Sequence, residues 1–254
     1  MDFLERIRPA KEAEVARLKA SAVEAGERRA LRSLSAALSG PALSVIAEVK
    51  RRAPSVGSLD ERADPIHTAQ RYEAAGAAAV SVLTDGPHFG GSLADLRAIA
   101  GAVGIPVLRK DFLIDPVQIV EAYTHGADAV LLIVAMLDDG QLGDMLAATR
   151  ELGLEALIET HTAHEVDRAL AAGGIVVGVN NRDLVSLQID LATGEALLPR
   201  VAAGRCIAVG ESGVRGPLEA RRLRAAGADA ILVGSALMSA ADPAALVEDL
   251  RACG

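Results

Sequence analysis

Charged and amide side chains stand at the ends of several apolar segments in this sequence of 254 residues. In "IAEVKRRAPS" (46–55), Glu48 and Lys50 interrupt an apolar run, and Pro54 prevents the run from continuing as a strand. The other members of this set are Lys110 with Asp111, Glu159, Asn180 with Arg182 and Asp183, and Glu211 with Ser212. Carboxylates and ammonium groups donate and accept protons in general acid–base catalysis. The set predicts an acid–base site, provided that the fold brings the segments together.

Eight short apolar segments carry or precede these residues, and longer stretches of helical periodicity separate them. The segments span residues 43–50, 78–84, 105–111, 127–134, 154–159, 174–180, 205–211 and 228–234. Apolar strands that alternate with helices are typical of a parallel sheet that is covered on both faces.

A repeated joint precedes every second strand, and in each copy a glycine is expected to end the helix in a left-handed conformation. The copies are "AAGAAAVSV" (74–82), "HGADAVLLI" (125–133), "AAGGIVVGV" (171–179) and "AAGADAILV" (225–233). Such a repeat fits a closed barrel better than a doubly wound sheet, so we predict an α/β fold of the (β/α)8 TIM-barrel type.

The first 42 residues lie outside this repeat. They predict one or two amphipathic helices, with Pro9 at the start of one or at a break. We therefore divide the chain into an N-terminal helical extension over residues 1–42 and a catalytic barrel over 43–254, which together form a single domain. The extension is interpreted either as a solvated cap or as a lid over the barrel mouth.

The strand ends are expected to meet at the mouth of the barrel, where enzymes with this fold place their active sites. Alternation puts Ile46, Glu48 and Lys50 on one face of the first strand, so Glu48 and Lys50 should face the mouth. The alternative is a set of ion pairs that plugs the barrel. Several charges that converge in a water-poor mouth are costly unless a ligand or a reaction uses them, which favours a functional site.

Loops after the last two strands, "VGESGVRG" (209–216) and "VGSALM" (233–238), predict a phosphate site with Gly213, Gly234 and Ser235 as contacts. Neither loop has the spacing of a nucleoside triphosphate or dinucleotide motif. Phe89 and Phe112 follow predicted strands; they are interpreted as core aromatics or as walls of a pocket for a flat apolar group.

Composition argues against several other classes of function. A net charge of -8 and few aromatic residues do not suit a nucleic-acid-binding protein. The apolar runs are far shorter than the roughly 20 residues that span a bilayer, and the N-terminus lacks a signal peptide, so we expect a cytoplasmic protein without membrane contact. Cys206 is interpreted as a small core residue, and His161 and His164 as solvated residues rather than metal ligands.

These motifs together resemble the indole-3-glycerol phosphate synthase family of tryptophan biosynthesis, over residues 43 to 245. The motifs that carry the resemblance are "VIAEVKRRAPS", "FGGS", "LRKDFLID", "GADAVLLI", "IETHT", "GVNNRDL", "GESGV" and "VGSALM". The resemblance implies a lyase without a cofactor. Its reaction closes the ring of 1-(2-carboxyphenylamino)-1-deoxyribulose 5-phosphate with loss of carbon dioxide and water.

The resemblance also implies roles for individual residues. The implied catalytic set is Glu48, Lys50, Lys110, Glu159, Asn180, Glu211 and Ser212, and the implied substrate contacts are Ser55, Phe89, Phe112, Arg182, Gly213, Gly234 and Ser235. Lys110 is expected to protonate the ketone oxygen, Lys50 to lie near the substrate carboxylate, and Glu159 to act as base or acid in dehydration. The division of labour among these three stays open. In the family an N-terminal helix helps to cover the site, which favours the lid.

Ala53 departs from the family pattern, which usually has serine before the proline of "PS". A lost hydrogen bond to the substrate carboxylate predicts weaker substrate binding, with Ser55 or Arg182 in compensation. Two alternative functions are a Schiff-base aldolase, against which Asn180 at the sixth strand argues, and a silent phosphate-binding barrel, against which the filled acid–base positions argue. We expect a monofunctional protein that is a monomer or a weak homo-oligomer.

Overall fold

Eight parallel strands form a closed barrel in the computed structural model, which describes residues 3–21, 30–50, 52–53, 57–58 and 64–254. The strands are β1 (Ser44–Val49), β2 (Ala79–Leu83), β3 (Val107–Lys110), β4 (Ala129–Ile133), β5 (Glu155–Thr160), β6 (Val176–Asn180), β7 (Ile207–Glu211) and β8 (Ala230–Val233). Each strand pairs with the next, and β8 closes the barrel on β1. The predicted (β/α)8 barrel is confirmed, and only β5 runs beyond its predicted segment, by one residue.

Helices surround the barrel and connect its strands. Their bounds are α1 (Phe3–Ala20), α2 (Leu34–Leu38), α3 (Pro65–Ala74), α4 (Gly86–Phe89), α5 (Leu93–Ala102), α6 (Pro116–Thr124), α7 (Asp139–Glu151), α8 (Ala163–Ala171), α9 (Leu191–Ala203), α10 (Pro217–Ala225), α11 (Ser235–Ser239) and α12 (Pro243–Arg251). The glycines of the repeated joint, Gly76, Gly126, Gly173 and Gly227, all have positive φ, as predicted. No helix in the described ranges combines the length and hydropathy that crossing a membrane requires.

Among the residues described before the barrel, helices α1 and α2 contact its opposite ends. α1 packs against α6 and reaches the mouth, whereas the segment that leads into α2 binds the other end, where the Arg32 guanidinium lies 2.9 Å from Asp128. The expectation that Pro9 starts or breaks a helix is wrong, because α1 continues through it. Ile7 and Lys11 are buried on either side of Pro9, and this packing offsets the hydrogen bond that proline cannot make.

The core consists of the strand side chains and the helix faces that cover them. Val45, Ile46 and Ala47 of β1 are fully buried, as the apolar pattern predicts. Cys206 is half-buried against this core. Directly after β1, Arg52–Ala53 pairs antiparallel with Gly57–Ser58.

Candidate active site

A cavity of about 720 Å³ opens at the C-terminal ends of the strands. Strand ends, the loops that follow them and α1 all contribute to its wall. The predicted site residues that line it are Glu48, Lys50, Phe89, Lys110, Phe112, Glu159, Asn180, Arg182, Glu211, Ser212, Gly213, Gly234 and Ser235. Ser55 and Pro54 lie outside the described residues. Cavities of this size enclose small-molecule ligands.

Lys110 stands at the centre of the polar part of the cavity. Its ammonium nitrogen lies 3.1 Å from Glu159 Oε2 and 3.2 Å from Glu211 Oε2. Glu48 of β1 forms a separate pair with Lys50, with 2.8 Å between Oε1 and Nζ. The charged strand residues that line the cavity, Glu48, Lys110, Glu159 and Glu211, come from β1, β3, β5 and β7, so alternate strands supply these charges, as they supply a layer in barrels of this type.

Burial has the largest single influence on the pKa of each of these three groups, and charge pairing outweighs it for Lys110 and Glu159 but not for Glu211. Desolvation would lower the pKa of Lys110, but the neighbouring carboxylates, Glu159 first, outweigh it and raise this pKa. Desolvation raises the pKa of Glu211 to about 8, although Lys110 opposes the change. The pKa of Glu159 is lowered because Lys110 and His161 outweigh desolvation. At neutral pH the group therefore holds one ammonium, one carboxylate and one carboxyl group that is largely protonated.

Two glycines leave room for the buried carboxyl groups. A Cβ atom at Gly178 of β6 would overlap Glu211 Oε1, and a Cβ atom at Gly234 would overlap Glu48 Oε1. Glu48 Oε2 and Glu211 Oε1 are buried and have no hydrogen-bond partner among the described residues. A plug of ion pairs would leave these atoms without hydrogen bonds, whereas a bound ligand with donor groups can satisfy them. The unsatisfied atoms therefore favour a ligand site over a plug.

His161 lies behind Glu159, and the prediction that it is solvated is wrong. Its side chain is only 11% exposed, because Nε2 lies 3.4 Å from Glu159 Oε1 and Nδ1 lies 3.2 Å from Glu165 Oε2. Desolvation alone would lower the pKa of His161, but the two carboxylates raise it to about 10. His164 is exposed, as predicted.

The segment after β6 separates into a part that faces the cavity and a part that shapes a turn. Asn180 accepts a hydrogen bond from the Arg182 backbone N–H at 3.0 Å, and both residues line the cavity. Asp183, grouped with them from the sequence, is exposed and instead accepts hydrogen bonds from the backbone N–H groups of Val185 and Ser186. Its carboxylate caps a turn because those N–H groups have no strand partner there.

Lys11 of α1 forms ion pairs with residues of the barrel mouth. Its Nζ lies 2.7 Å from Asp111 Oδ1, 3.4 Å from Asp85 Oδ2 and 3.0 Å from Glu14 Oε2, and the lysine side chain is 5% exposed. Asp111 also pairs with the buried guanidinium of Arg109 at 3.1 Å. Desolvation opposes ionisation of Asp111, but the two cations lower its pKa to about 2. Asp111 thus anchors α1 next to Lys110, its neighbour in the sequence.

Three phenylalanines form the apolar wall. The ring centroids of Phe89 and Phe112 are 6.1 Å apart, and Phe3 of α1 meets Phe112 edge to face at 6.0 Å. Phe112 is both largely buried and part of the cavity wall, so the core and pocket interpretations hold together for it. The wall offers a surface for a flat apolar group.

The turn after β7 is held in an uncommon conformation. Ser212 has a φ of 62° and Gly213 a φ of 88°. The Asn181 side-chain amide donates to the carbonyl oxygens of Glu211 at 2.9 Å and Ser212 at 3.0 Å, which stabilises the turn. Within the described ranges, no group of three or more His, Cys, Asp or Glu residues is arranged to hold a metal ion.

A family model described as indole-3-glycerol phosphate synthase matches residues 4–250, nearly the whole chain. The chain belongs to the indole-3-glycerol phosphate synthase family. The predicted family and the carboxy-lyase activity of indole-3-glycerol phosphate synthesis are thereby confirmed.

Relatives with the same name cover most of the chain. The indole-3-glycerol phosphate synthase of Parafrankia sp. (strain EAN1pec) is 53% identical over 223 residues, which cover 88% of this chain and 83% of the relative. The enzyme of that name from Mycobacterium leprae (strain Br4923) is 52% identical over 219 residues, covering 86% of this chain and 80% of the relative.

Solved structures show likeness of fold alone. A crystal structure of 3-hexulose-6-phosphate synthase has a TM-score of 0.63 at 18% identity and covers 83% of this chain and 99% of its own. Thiamine phosphate pyrophosphorylase from Pyrococcus furiosus has a TM-score of 0.63 at 16% identity, with coverages of 87% and 97%.

Around the cavity of this member of the indole-3-glycerol phosphate synthase family, the sequence did not reveal the contributions of Phe3, Gly178 and Asn181 or the position of His161. Phe3 carried a signal, since it is one of three phenylalanines in an aromatic-poor chain and lies in a segment predicted to be an amphipathic helix. Asn181 lies in the quoted motif "GVNNRDL" but not at a strand end that faces the cavity. Gly178 carried no signal, because nothing in the strand pattern shows which side chain approaches it.

Proposed function

We propose that the chain converts 1-(2-carboxyphenylamino)-1-deoxyribulose 5-phosphate into indole-3-glycerol phosphate, with Lys110 as the general acid of ring closure. The observation that carries the proposal is the half-buried Lys110, whose ammonium lies between Glu159 and Glu211 at the mouth of a barrel whose family performs this reaction. The aromatic carbon that bears the carboxylate attacks the ketone carbon, and Lys110 protonates the oxygen. The alkoxide is strongly basic, so even a tightly held ammonium proton is transferred to it.

Decarboxylation follows from the product of ring closure. The closed intermediate is a cationic imine, and the electrons of the breaking bond to carbon dioxide neutralise it. Lys50, paired with Glu48 at 2.8 Å, lies near the substrate carboxylate in this proposal. Arg182 lines the same cavity and supplies a second cation.

Dehydration completes the indole ring. The hydroxyl group leaves as water with a proton from Lys50, assisted by the nitrogen lone pair through the aromatic ring. Glu159 removes a proton from the neighbouring CH2 carbon, a role that its lowered pKa supports because the carboxylate is ionised at neutral pH. Asn180 and Glu48 orient these groups, and Glu211 and Ser212 complete the catalytic set.

Binding of the substrate uses the apolar and the glycine-rich sides of the cavity. Phe89 and Phe112 hold the anthranilate ring, and the backbone around Gly213, Gly234 and Ser235 holds the phosphate. The N-terminal extension, residues 1–42, acts as a lid through α1, which is supported by the ion pairs of Lys11. In this proposal the protein works in the cytoplasm as a monomer or a weak homo-oligomer.

The test mixes purified protein with the carboxyphenylamino-ribulose phosphate and records indole fluorescence. The signal should appear with the unmutated protein and vanish with Lys110→Ala, while Lys19→Ala, which removes an exposed lysine, should leave it unchanged. Absence of indole from the unmutated protein contradicts the proposal. A Schiff-base aldolase is disfavoured because the pKa of Lys110 is raised, whereas an amine nucleophile needs a lowered one.

A further inference from the structure

The two oxygens of the Glu159 carboxylate face different cations. Oε2 lies 3.1 Å from the Lys110 ammonium, and Oε1 lies 3.4 Å from His161 Nε2. His161 Nε2 is buried and has no well-formed hydrogen bond among the described residues, so its contact with Glu159 is one of charge. Oε2 therefore points to the cavity, while Oε1 is held from behind.

Glu165 fixes the position and the charge of this histidine. Its Oε2 accepts from the His161 backbone N–H at 2.7 Å and lies 3.2 Å from Nδ1. Glu165 stands in the first turn of α8, and its own backbone N–H binds the Thr162 hydroxyl at 3.2 Å. Two carboxylates thus hold the imidazole ring on opposite sides, which favours its protonated form.

The charged surroundings of Glu159 change during the proposed reaction. In the resting site desolvation opposes its ionisation, which Lys110 and His161 favour together with a hydrogen bond from Asn180. Glu211, the other carboxyl group beside Lys110, is largely protonated and adds little charge. Two other charges lie farther away. Glu48 contributes to the raised pKa of Lys110, and the charge of His161 contributes to the lowered pKa of the exposed Asp183. Once Lys110 has given its proton to the alkoxide it is neutral, and His161 remains as a cation beside Glu159.

We propose that His161, held by Glu165, is a positioning residue that keeps Glu159 ionised and directed into the cavity for the dehydration step. The inference rests on the proposed role of Glu159 as the base of that step. It separates the two halves of the reaction: His161 supports removal of the CH proton and is not needed for ring closure or for loss of carbon dioxide.

The experiment measures both products in single turnovers, carbon dioxide by a coupled assay and indole by fluorescence. His161→Gln should slow indole formation on the order of 10-fold while carbon dioxide release changes little, so the decarboxylated intermediate accumulates. The acid limb of the pH profile for indole formation should move to higher pH, because loss of the cation raises the pKa of Glu159. Glu165→Gln should have a smaller effect in the same direction, and the double variant should be no slower than His161→Gln.

His164→Gln is the matched control, since it changes an exposed histidine three residues away, and both products should form at the unmutated rate. Equal slowing of carbon dioxide and indole by His161→Gln, or no slowing of either, overturns the inference. If His161→Gln does not fold, Glu165→Gln decides by the same comparison of products. Failure of the proposed function itself is distinguishable, because the unmutated protein would then form neither product.

Discussion

Gly178→Ala places one methyl group against the carboxyl group of Glu211. The new Cβ would overlap Oε1 and lie 3.2 Å from Cδ of Glu211. Leu157 Cδ1 would also lie 3.2 Å away, so the methyl group cannot shift away from Glu211 without crowding Leu157. Ordinary van der Waals contact requires Oε1 to retreat by on the order of 1 Å. Because Oε2 holds the Lys110 ammonium at 3.2 Å, this movement breaks that contact.

A buried hydrogen bond to a charged group contributes about 1.5–3 kcal/mol, so we expect kcat/KM to fall roughly 10- to 100-fold. The assay is indole fluorescence at several substrate concentrations, with thermal unfolding to confirm that the variant folds. Gly143→Ala is the control: Gly143 is exposed in α7, its Cβ would meet nothing within 4 Å, and alanine favours a helix by about 0.5–1 kcal/mol. Activity of Gly178→Ala within twofold of the unmutated protein refutes the reasoning.

Two further predictions concern substrate binding and pH. Ala53→Ser should lower KM on the order of 10-fold with kcat unchanged, because it restores one hydrogen bond to a carboxylate; a KM that does not fall shows that the missing contact is unimportant. The pKa of Glu211 is raised from 4.5 to about 8, so its contribution to the free energy of unfolding is present below pH 4.5 and is lost as the pH rises through 8. Urea unfolding of Glu211→Gln should therefore show a smaller loss of stability between pH 5 and 8, and identical pH dependence in both proteins contradicts the raised pKa.

The strands and the polar strand ends could be predicted because they follow from the chain alone. Alternation along β1 puts Glu48 and Lys50 on the inward face, and both line the cavity. The glycines of the repeated joint adopt a left-handed conformation that depends only on the local chain, so the sequence predicts it.

The remaining features depend on the direction that each side chain takes in the folded structure. His161 follows β5 in a polar stretch that looks solvated, and only the positions of Glu159 and Glu165 show that it is enclosed. Asp111 stands next to Lys110 in sequence, yet it turns to Arg109 and Lys11 and anchors a helix. The pair of Lys11 with Asp111 joins residues that are 100 positions apart, and the others depend on which way neighbouring side chains turn, so a single sequence reveals neither.

The even-numbered strands β6 and β8 provide space for the charged side chains of the odd-numbered strands. At Gly178, and at Gly234 directly after β8, the absence of a side chain sets how far each buried carboxyl group can extend. The charged residues at the mouth therefore determine its acid–base chemistry, and the two glycines determine where the carboxyl groups lie. A redesign that keeps Glu48, Lys110, Glu159 and Glu211 but enlarges either glycine would move the acid–base groups without changing their identity, so these two positions offer a way to retune the enzyme geometrically.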